Sequence, residues 1–141
     1  MSNAHPVERT LVLLKPDAVA RKLTGQILTR YEAKGLTIVA LKQLLATTDL
    51  AAAHYAEHEG RDYYPPLLEF ITSGPLVALI LEGERAIEIV RLMNGSTDSA
   101  KAAPGTIRGD LSVYYNKNLV HASDSPENAL REIGIWFPEG A

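Results

Sequence analysis

The sequence predicts an α/β or α+β sandwich in which helices cover a sheet of four strands. Four apolar segments of strand-like composition are separated by helical segments, and this alternation is typical of layered sheet-and-helix domains. The chain has 141 residues, which is enough for one domain with a substantial core. No internal repeat or linker divides it. We therefore expect a single domain over residues 1–141, with residues 1–7 as a flexible tail.

The four strand candidates differ in how apolar they are. Residues 9–15 form a nearly continuous apolar run, as in a strand that is covered on both faces, and Pro16 ends it. Residues 36–45 are rich in Leu, Ile and Val and predict a second strand. Residues 76–81 are the most apolar run of all and predict a central strand, and residues 119–120 form a short fourth one.

Helical segments fill the intervals between the strands. They comprise a turn at residues 16–21, a helix between Thr24 and Gly35, and helices at about 50–58, 65–71, 83–93 and 126–137. We expect Thr24, Asp49 and Ser125 to be N-caps, because their side-chain oxygens can accept from free N–H groups of a first turn. Gly35 suits the left-handed position after a helix. Residues 94–117 lack strong periodicity and predict a long loop, either functional or disordered.

The pattern leaves the topology of the sheet open. A flavodoxin-like parallel sheet and a ferredoxin-like split βαβ sheet both accommodate the order of the elements. Apolar residues at helical spacing are expected to face the core: Ile27, Leu28, Tyr31, Ala86, Ile87, Val90, Met93, Leu130, Ile133 and Phe137.

The composition excludes several classes of function. The chain has no cysteine, so disulfides, thiolate catalysis and cysteine-based zinc sites are excluded. Its net charge of −3 does not indicate a broad nucleic-acid surface. No apolar run approaches the roughly 18 residues of a membrane span, and the N-terminal residues lack the features of a signal peptide. We therefore expect a cytoplasmic protein with no membrane partner.

The chemistry is predicted to centre on His121. This histidine follows the apolar pair 119–120 and lies a few residues before a predicted helix. Ser125 suits the N-cap of that helix, and Pro126 suits its first position, where a missing N–H costs nothing. The N-terminus of a helix is electropositive and rich in free backbone donors. The segment therefore predicts a phosphate-binding site.

Other polar residues are candidates for the same site. Lys15 ends the first strand, Arg91 lies late on a helix, and Arg108 lies between two glycines that let a backbone approach a ligand. Each cation taken singly is more often part of a surface salt bridge. Thr97 adds a hydroxyl donor, although loop hydroxyls usually make local turns.

The remaining histidines and tyrosines are weaker candidates. His54 and His58 are four residues apart on one helix, but no third metal ligand is placed nearby, and structural roles are favoured. Tyr55, Tyr63 and the adjacent Tyr64 most often belong to a core in such positions, and a platform for a nucleotide base is the minority interpretation. The sequence contains no Walker loop, no kinase glycine-rich loop and no G-x-G-x-x-G motif.

At these residues the chain resembles the nucleoside diphosphate kinase family over almost its whole length. The resemblance is carried by four segments: Glu8-Arg9-Thr10 through Lys15-Pro16-Asp17-Ala18-Val19; Arg61-Asp62-Tyr63-Tyr64-Pro65 through Ser73-Gly74-Pro75; Pro104-Gly105-Thr106-Ile107-Arg108-Gly109-Asp110; and Asn118-Leu119-Val120-His121-Ala122-Ser123-Asp124-Ser125. The last segment matches the family's active-site signature. The four in this order are highly specific.

The resemblance implies a ferredoxin-like α+β fold, with an antiparallel four-stranded sheet that is covered by helices. It also implies ping-pong transfer of the γ-phosphate of a nucleoside triphosphate, mainly ATP, to a nucleoside diphosphate, with His121 as the phosphorylated nucleophile. Mg²⁺ is the implied cofactor, held mainly by the nucleotide phosphates and not directly by protein ligands. A homo-oligomer, either a tetramer or a hexamer built from dimers, is the implied assembly, and no specific nucleic-acid partner is expected.

The resemblance assigns further roles residue by residue. Lys15 and Asn118 match residues on the ribose side, and Tyr63 stands where the family usually has a phenylalanine stacked on the base. Glu132 and Ser123 match polar groups that support the histidine. The residues matched around the phosphates are Lys15, Tyr55, Arg91, Thr97 and Arg108.

The chain departs from the family pattern at a few positions. Tyr63 replaces phenylalanine, Ala122 replaces the more frequent glycine, and Asp98-Ser99 replaces Asn-Pro in the long loop. Two alternative functions stay open at the level of the sequence. One is a nucleotide-binding or interaction module without turnover, and the other is a phosphocarrier that passes the phosphoryl group from His121 to proteins.

Overall fold

A computed structural model describes residues 5–140 of the chain. These residues contain a four-stranded sheet and seven α-helices, with 3₁₀ turns at Ala56–His58 and Ser99–Lys101. In chain order the elements are β1 (Val7–Leu14), α1 (Pro16–Ala20), α2 (Thr24–Lys34), β2 (Thr37–Leu44), α3 (Thr48–His54), α4 (Tyr64–Ile71), β3 (Leu76–Glu84), α5 (Ala86–Asn94), α6 (Ile107–Leu111), β4 (Val120–Ala122) and α7 (Pro126–Trp136). Residues 1–4 of the expected tail lie outside the described residues, and Val7 already belongs to β1.

The sheet is antiparallel throughout, in the order β2-β3-β1-β4. The fold is therefore a ferredoxin-like α+β fold, and the parallel alternative is wrong. The central strands β1 and β3 pair along their whole length, with Leu11 opposite Ile80. Because β4 pairs with β1, His121 lies opposite Leu13 and next to the end of β1 that leads into Lys15.

Helices cover both faces of the sheet, as the alternation of side chains along β1 requires. Val12 and Leu14 pack with buried residues of α1, α2, α5 and α6 on one face. Leu11 and Leu13 pack with α3, α4 and α7 on the other face, where Trp136 is the largest side chain. The nearly continuous apolar run that predicted a doubly covered strand is confirmed by the full burial of residues 11–14.

The predicted caps are partly confirmed. Ser125 caps α7 by accepting from the Asn128 N–H at 3.1 Å, and Gly35 ends α2 with a φ of 109°. Thr24 is not a cap, because α2 begins at Thr24 itself. Asp49 is not the cap of α3 either. Thr47 accepts from the Leu50 N–H at 3.1 Å, which places Asp49 inside the first turn, where a negative charge is also favourable.

Two helical boundaries differ from the predictions, and one helix was not predicted. The helix expected to reach His58 ends at His54 and continues as a 3₁₀ turn. Residues 83–84 are strand and not helix, because Gly83 pairs with Glu8 across the ladder. The long loop contains α6, which begins where Thr106 accepts from the Gly109 N–H at 3.0 Å. That short-range cap supplies a helix start that hydrophobic periodicity does not reveal.

One predicted core position is wrong. Leu130 is 78% exposed, whereas its neighbours Ala129 and Glu132 on α7 are buried. The face of α7 that packs against the rest of the domain therefore carries Glu132 and Trp136, and Leu130 lies outside this face. Glu132, a polar residue, faces inward, whereas the apolar pattern predicted that Leu130 would do so.

Within residues 5–140, no helix combines the length and the apolar character needed to cross a bilayer.

Candidate active site

A cleft of about 380 Å³ lies where β4, α5, α6 and the start of α7 meet the end of β1. Seven of the residues predicted for the site line it: Lys15, Arg91, Thr97, Arg108, Asn118, His121 and Glu132. A larger open depression of about 800 Å³ lies beside it and shares Arg91 and Asp124 with it. The charged and polar side chains that were predicted for the site converge in the smaller cleft.

His121 is held by a buried carboxylate on α7. Its Nε2 lies 2.9 Å from Oε1 of Glu132, and the same oxygen accepts from the Ser123 hydroxyl at 2.8 Å. Glu132 is only 4% exposed, and Ser123 is fully buried. The Ser123 oxygen in turn accepts from the Leu11 N–H at 3.2 Å, which ties the support of the histidine to the central strand. The expected reach of Glu132 back to His121 is therefore present.

This contact determines which nitrogen of His121 can react. A carboxylate accepts hydrogen bonds, so the Nε2 facing Glu132 carries the proton in the neutral ring. The lone pair is then on Nδ1. Among residues 5–140, no hydrogen bond to Nδ1 of His121 occupies that lone pair. The side chain is 23% exposed, so the ring reaches the cleft while its other edge is fixed.

His54 packs against the ring of His121, with centroids 4.5 Å apart and planes at 82°. Its Nδ1 accepts from the Trp136 indole N–H at 3.0 Å. Burial lowers the pKa of His54 to about 2, and the nearby side chains of His121, Arg131 and Lys15 add to this effect, so its ring is neutral. His54 thus has the structural role that the sequence favours. Its packing against His121 has no signal in the sequence, because the residues are 67 positions apart.

The structure does not support the pairing of His54 with His58 as metal ligands. Nδ1 of His58 lies 2.8 Å from the Tyr63 hydroxyl. Among the residues that the structure describes, His54, His121 and Glu132 are the one group with three possible ligand atoms within 4.8 Å. Those residues are already engaged with Trp136 and with one another.

Lys15 lies at the N-cap position of α1 and donates from Nζ to Oδ1 of Asn118 at 2.8 Å. Burial lowers the pKa of Lys15 to about 8, and the positive charge of Arg108 adds to this effect. The negative charge of Asp17 opposes it. The Lys15–Asn118 pair that the resemblance places beside the ribose is therefore formed.

Arg108 is anchored more extensively than a loop residue would be. Its guanidinium donates to three backbone carbonyls, those of Asn118 at 3.1 Å, Gly95 at 2.8 Å and Val120 at 2.5 Å. Burial also lowers its pKa. The predicted setting in a loop is wrong, because Arg108 lies on α6. The remaining N–H groups of its fork are the ones available to a phosphate.

Arg91 and Thr97 lie on the exposed rim of the cleft. The Thr97 carbonyl accepts from Nδ2 of Asn118 at 2.9 Å, so the loop is fixed by the same asparagine that binds Lys15. Within residues 5–140, none of the ion pairs involves Lys15, Arg91 or Arg108. The surface salt bridges favoured for each cation singly are therefore absent from this part of the chain, and the three charges are left for an anion.

The two tyrosines predicted for the site lie outside the lining of the cleft. Tyr55 is buried beside His54, and burial together with the negative charge of Glu132 raises its pKa. Tyr63 is 51% exposed, and its ring lies 5.5 Å from that of His58, which does line the cleft. Tyr63 therefore contacts the cleft through the side chain of His58.

Comparisons with known proteins agree with this geometry. A family model described as nucleoside diphosphate kinase matches residues 8–141. Relatives named nucleoside diphosphate kinase include one from a Nocardioides species, 65% identical over 92% of this chain and 96% of the relative. Another, from Cutibacterium acnes, is 66% identical over 93% of this chain and 95% of the relative.

Solved structures give the same result. The nucleoside diphosphate kinase of Halobacterium salinarum, solved in complex with CDP, has a TM-score of 0.91 and 46% identity, covering 94% of this chain and 88% of that chain. The Aquifex aeolicus enzyme has a TM-score of 0.90 and 45% identity, covering 94% and 96% of the two chains. The fold and the site therefore define a phosphotransferase. The chain belongs to the nucleoside diphosphate kinase family, whose members act on nucleotides and generally use a divalent cation.

Proposed function

We propose that the chain transfers the γ-phosphoryl group of a nucleoside triphosphate, mainly ATP, to a nucleoside diphosphate through a phosphohistidine on His121. The observation that carries this proposal is the 2.9 Å contact between Nε2 of His121 and Glu132, because it leaves the Nδ1 lone pair for the cleft. A neutral imidazole is nucleophilic near neutral pH, and its phosphoramidate is reactive enough to pass the group on.

The transfer consists of two matched displacements. In the first, the Nδ1 lone pair of His121 forms a bond to the γ-phosphorus. The bond to the bridging oxygen breaks, and the nucleoside diphosphate leaves with that electron pair. Nε2 keeps its proton, and the Glu132 carboxylate stabilises the positive charge that develops on the ring. In the second, a β-phosphate oxygen of another nucleoside diphosphate forms a bond to the phosphorus of the phosphohistidine. The bond between phosphorus and Nδ1 breaks, and its electron pair returns to Nδ1, which restores the neutral ring.

The cations supply the charge that this chemistry requires. Phosphoryl transfer depends mainly on alignment and on neutralising the oxygens of the transferred group. Lys15, Arg91 and Arg108 line the cleft, and no ion pair within residues 5–140 neutralises them. Thr97 adds a neutral donor, and Asn118 is fixed beside Lys15 at the position proposed for the ribose. Tyr63 is proposed to stack on the base, which would accept any base face.

Mg²⁺ is the proposed cation, bound mainly through the nucleotide phosphates. The donor set of the cleft fits this arrangement. Glu132 already accepts from His121 and Ser123, and Oδ1 of Asp124 accepts from Asn128 at 2.6 Å. A hard cation prefers several free oxygen ligands, which these residues do not supply together. When it is bound, Mg²⁺ would contribute positive charge on the phosphate oxygens.

The experiment is labelling with ATP that carries a radioactive γ-phosphate. After nucleotide is removed, we expect acid-labile phosphate on the wild-type chain and its transfer to added nucleoside diphosphate. His121→Ala should take up no label. His5→Ala, the same change at an exposed N-terminal position, should label normally.

Normal labelling of His121→Ala would show that the nucleophile is another residue. Nucleotide binding without labelling of the wild type would favour a binding module, and faster transfer to proteins than to nucleotides would favour a phosphocarrier.

We also propose that the chain forms a homo-oligomer, either a tetramer or a hexamer. The exposed apolar side chains Val113, Tyr114 and Tyr115 support an association surface in the segment between α6 and β4. Sedimentation of the native protein distinguishes the two assemblies. A monomer over the whole concentration range would contradict the proposal.

A further inference from the structure

The backbone at Leu119 is held in a conformation that non-glycine residues avoid. Its φ is 75°, and the Val120 N–H donates to the Asn118 carbonyl at 2.9 Å, which closes a γ-turn around Leu119. Such a turn is strained for a residue with a side chain. Lys22 and Arg85 also have positive φ, but both are exposed, whereas Leu119 is fully buried.

Both peptide groups of Leu119 are fixed by the segment that follows β1. Its carbonyl accepts from the Lys15 N–H at 2.8 Å. Its N–H donates to Oδ2 of Asp17 at 3.1 Å. Strain of this kind persists only where the surroundings determine the backbone fully. Within the described part of the chain, the Asp17 carboxylate is the one side chain that accepts from the Leu119 amide and so helps to hold this turn.

The turn lies at the junction of three residues of the cleft. The carbonyls on either side of Leu119, those of Asn118 and Val120, both accept from Arg108. The side chain of Asn118 accepts from Lys15. The direction of these carbonyls, and so the position of the Arg108 guanidinium, depends on the geometry of the turn.

The second oxygen of Asp17 indicates that the carboxylate is retained at a cost. Oδ1 is buried and has no hydrogen-bond partner among residues 5–140. A buried polar atom without a hydrogen-bond partner destabilises the folded chain, because it loses the hydrogen bonds that water would supply. The negative charge of Asp17 also acts on Lys15 and counters part of the desolvation of its ammonium group.

We propose that Asp17 is a positioning residue, whose carboxylate holds the left-handed turn at Leu119. Through this turn it sets the directions of Lys15, Arg108 and Asn118 around the cleft, without touching the reacting atoms. The inference rests on the proposed function, because it concerns how the same cleft binds a nucleotide.

The test compares Asp17→Ala with Asp17→Asn. We expect Asp17→Ala to lower kcat/KM with ATP about 10- to 100-fold, chiefly through KM, because the His121–Glu132 contact does not involve Asp17. Asp17→Asn keeps an acceptor oxygen for the Leu119 N–H, and we expect it to recover most of the loss. Hydrogen exchange at the Leu119 amide should accelerate in Asp17→Ala and stay close to that of the wild type in Asp17→Asn. If Asp17→Ala does not fold, Asp17→Ser replaces it, with the same expected direction.

Glu8→Ala is the matched control. Glu8 Oε1 accepts from a single backbone N–H, that of Ile87 at 3.2 Å, and Glu8 does not line the cleft. We expect Glu8→Ala to lower the thermal midpoint about as much as Asp17→Ala does, and to leave kcat/KM within twofold of the wild-type value. The proposal would be overturned if Glu8→Ala lost as much activity, if Asp17→Ala kept wild-type kcat/KM, or if Asp17→Asn protected Leu119 without recovering KM. A wild-type chain that takes up no label would contradict the proposed function instead, and exchange at Leu119 would still show whether Asp17 holds the turn.

Discussion

At the scale of the residue, the properties of the cleft depend on which atoms are already engaged. Glu132 occupies Nε2 of His121, and three carbonyls occupy part of the Arg108 fork. Trp136 donates to Nδ1 of His54, and burial keeps this histidine neutral beside His121. The residue types are visible in the sequence. The assignment of each nitrogen to a partner requires the coordinates, because it depends on contacts between distant positions.

Lys15 leads to a prediction about pH. Because burial lowers the pKa of Lys15 from 10.5 to about 8, its positive charge is lost as pH rises through 8. Arg108, Asp17 and His54 are the charged or titratable groups around it. We expect kcat/KM with ATP to fall along an alkaline limb near pH 8. Lys15→Arg should remove this limb even if its activity is lower, because a guanidinium stays protonated. A limb that stays in place in Lys15→Arg would assign it to another group.

The same group affects stability in the opposite direction. Between pH 8 and 10.5 the unfolded chain keeps the Lys15 proton while the folded chain releases it. The unfolded state therefore binds more protons, and the contribution of Lys15 to the free energy of unfolding rises with pH in this window. Thermal melts beside the activity profile would thus separate loss of charge from loss of fold.

At the scale of the element, local chemistry determined some boundaries and tertiary pairing determined others. Ser125 and Pro126 predict the start of α7 correctly, because the cap and the first position lie within a few residues of each other. The end of β3 depends instead on its pairing with β1. Gly109 of α6 packs so closely on the Ala103 carbonyl that any side chain would collide with it. That close approach explains the glycine after Arg108 better than flexibility does.

The cap of α3 gives a direct test of one corrected boundary. Thr47→Ala removes the side chain that accepts from the Leu50 N–H, and we expect it to lower the free energy of unfolding by about 1 kcal/mol. Asp49→Ala, at the cap position predicted from the sequence, should cost less, because it loses only a favourable charge in the first turn. Denaturant unfolding of both variants decides the point. A larger loss in the free energy of unfolding for Asp49→Ala would indicate that Asp49, and not Thr47, caps α3.

At the scale of the whole molecule, two layers of helices stabilise one antiparallel sheet, and the core divides at β1. The apolar run of β3 lies at the centre of the sheet, as its composition predicts. The helix α7 departs from its apolar pattern because its inward face carries Glu132 toward His121. Function thus explains the one core position, Leu130, that periodicity misassigned.

Paired leucine substitutions test this division of the core. Leu79→Ala removes a fully buried side chain from β3, and we expect a loss of about 2–5 kcal/mol in the free energy of unfolding. Leu130→Ala, the same change at an exposed position, should change it by less than about 0.5 kcal/mol. Equal losses in denaturant titrations would mean that Leu130 is covered in the native protein, for example by a second copy of the chain.

The sequence by itself determined the number of strands, the central position of β3, the start of α7 and seven of the residues that line the cleft. These features depend on local periodicity, on short-range capping and on motifs that lie within a few positions. The antiparallel order, which periodicity left open and the resemblance to a known family implied, is confirmed by the strand pairing. The tertiary structure alone decided the inward face of α7 and the partner of each polar atom in the cleft. Such features depend on contacts between residues that are far apart in the chain, as in the bonds that join Asp17 to Leu119 and Lys15 to Asn118. No periodicity encodes those contacts, because the fold alone brings their partners together.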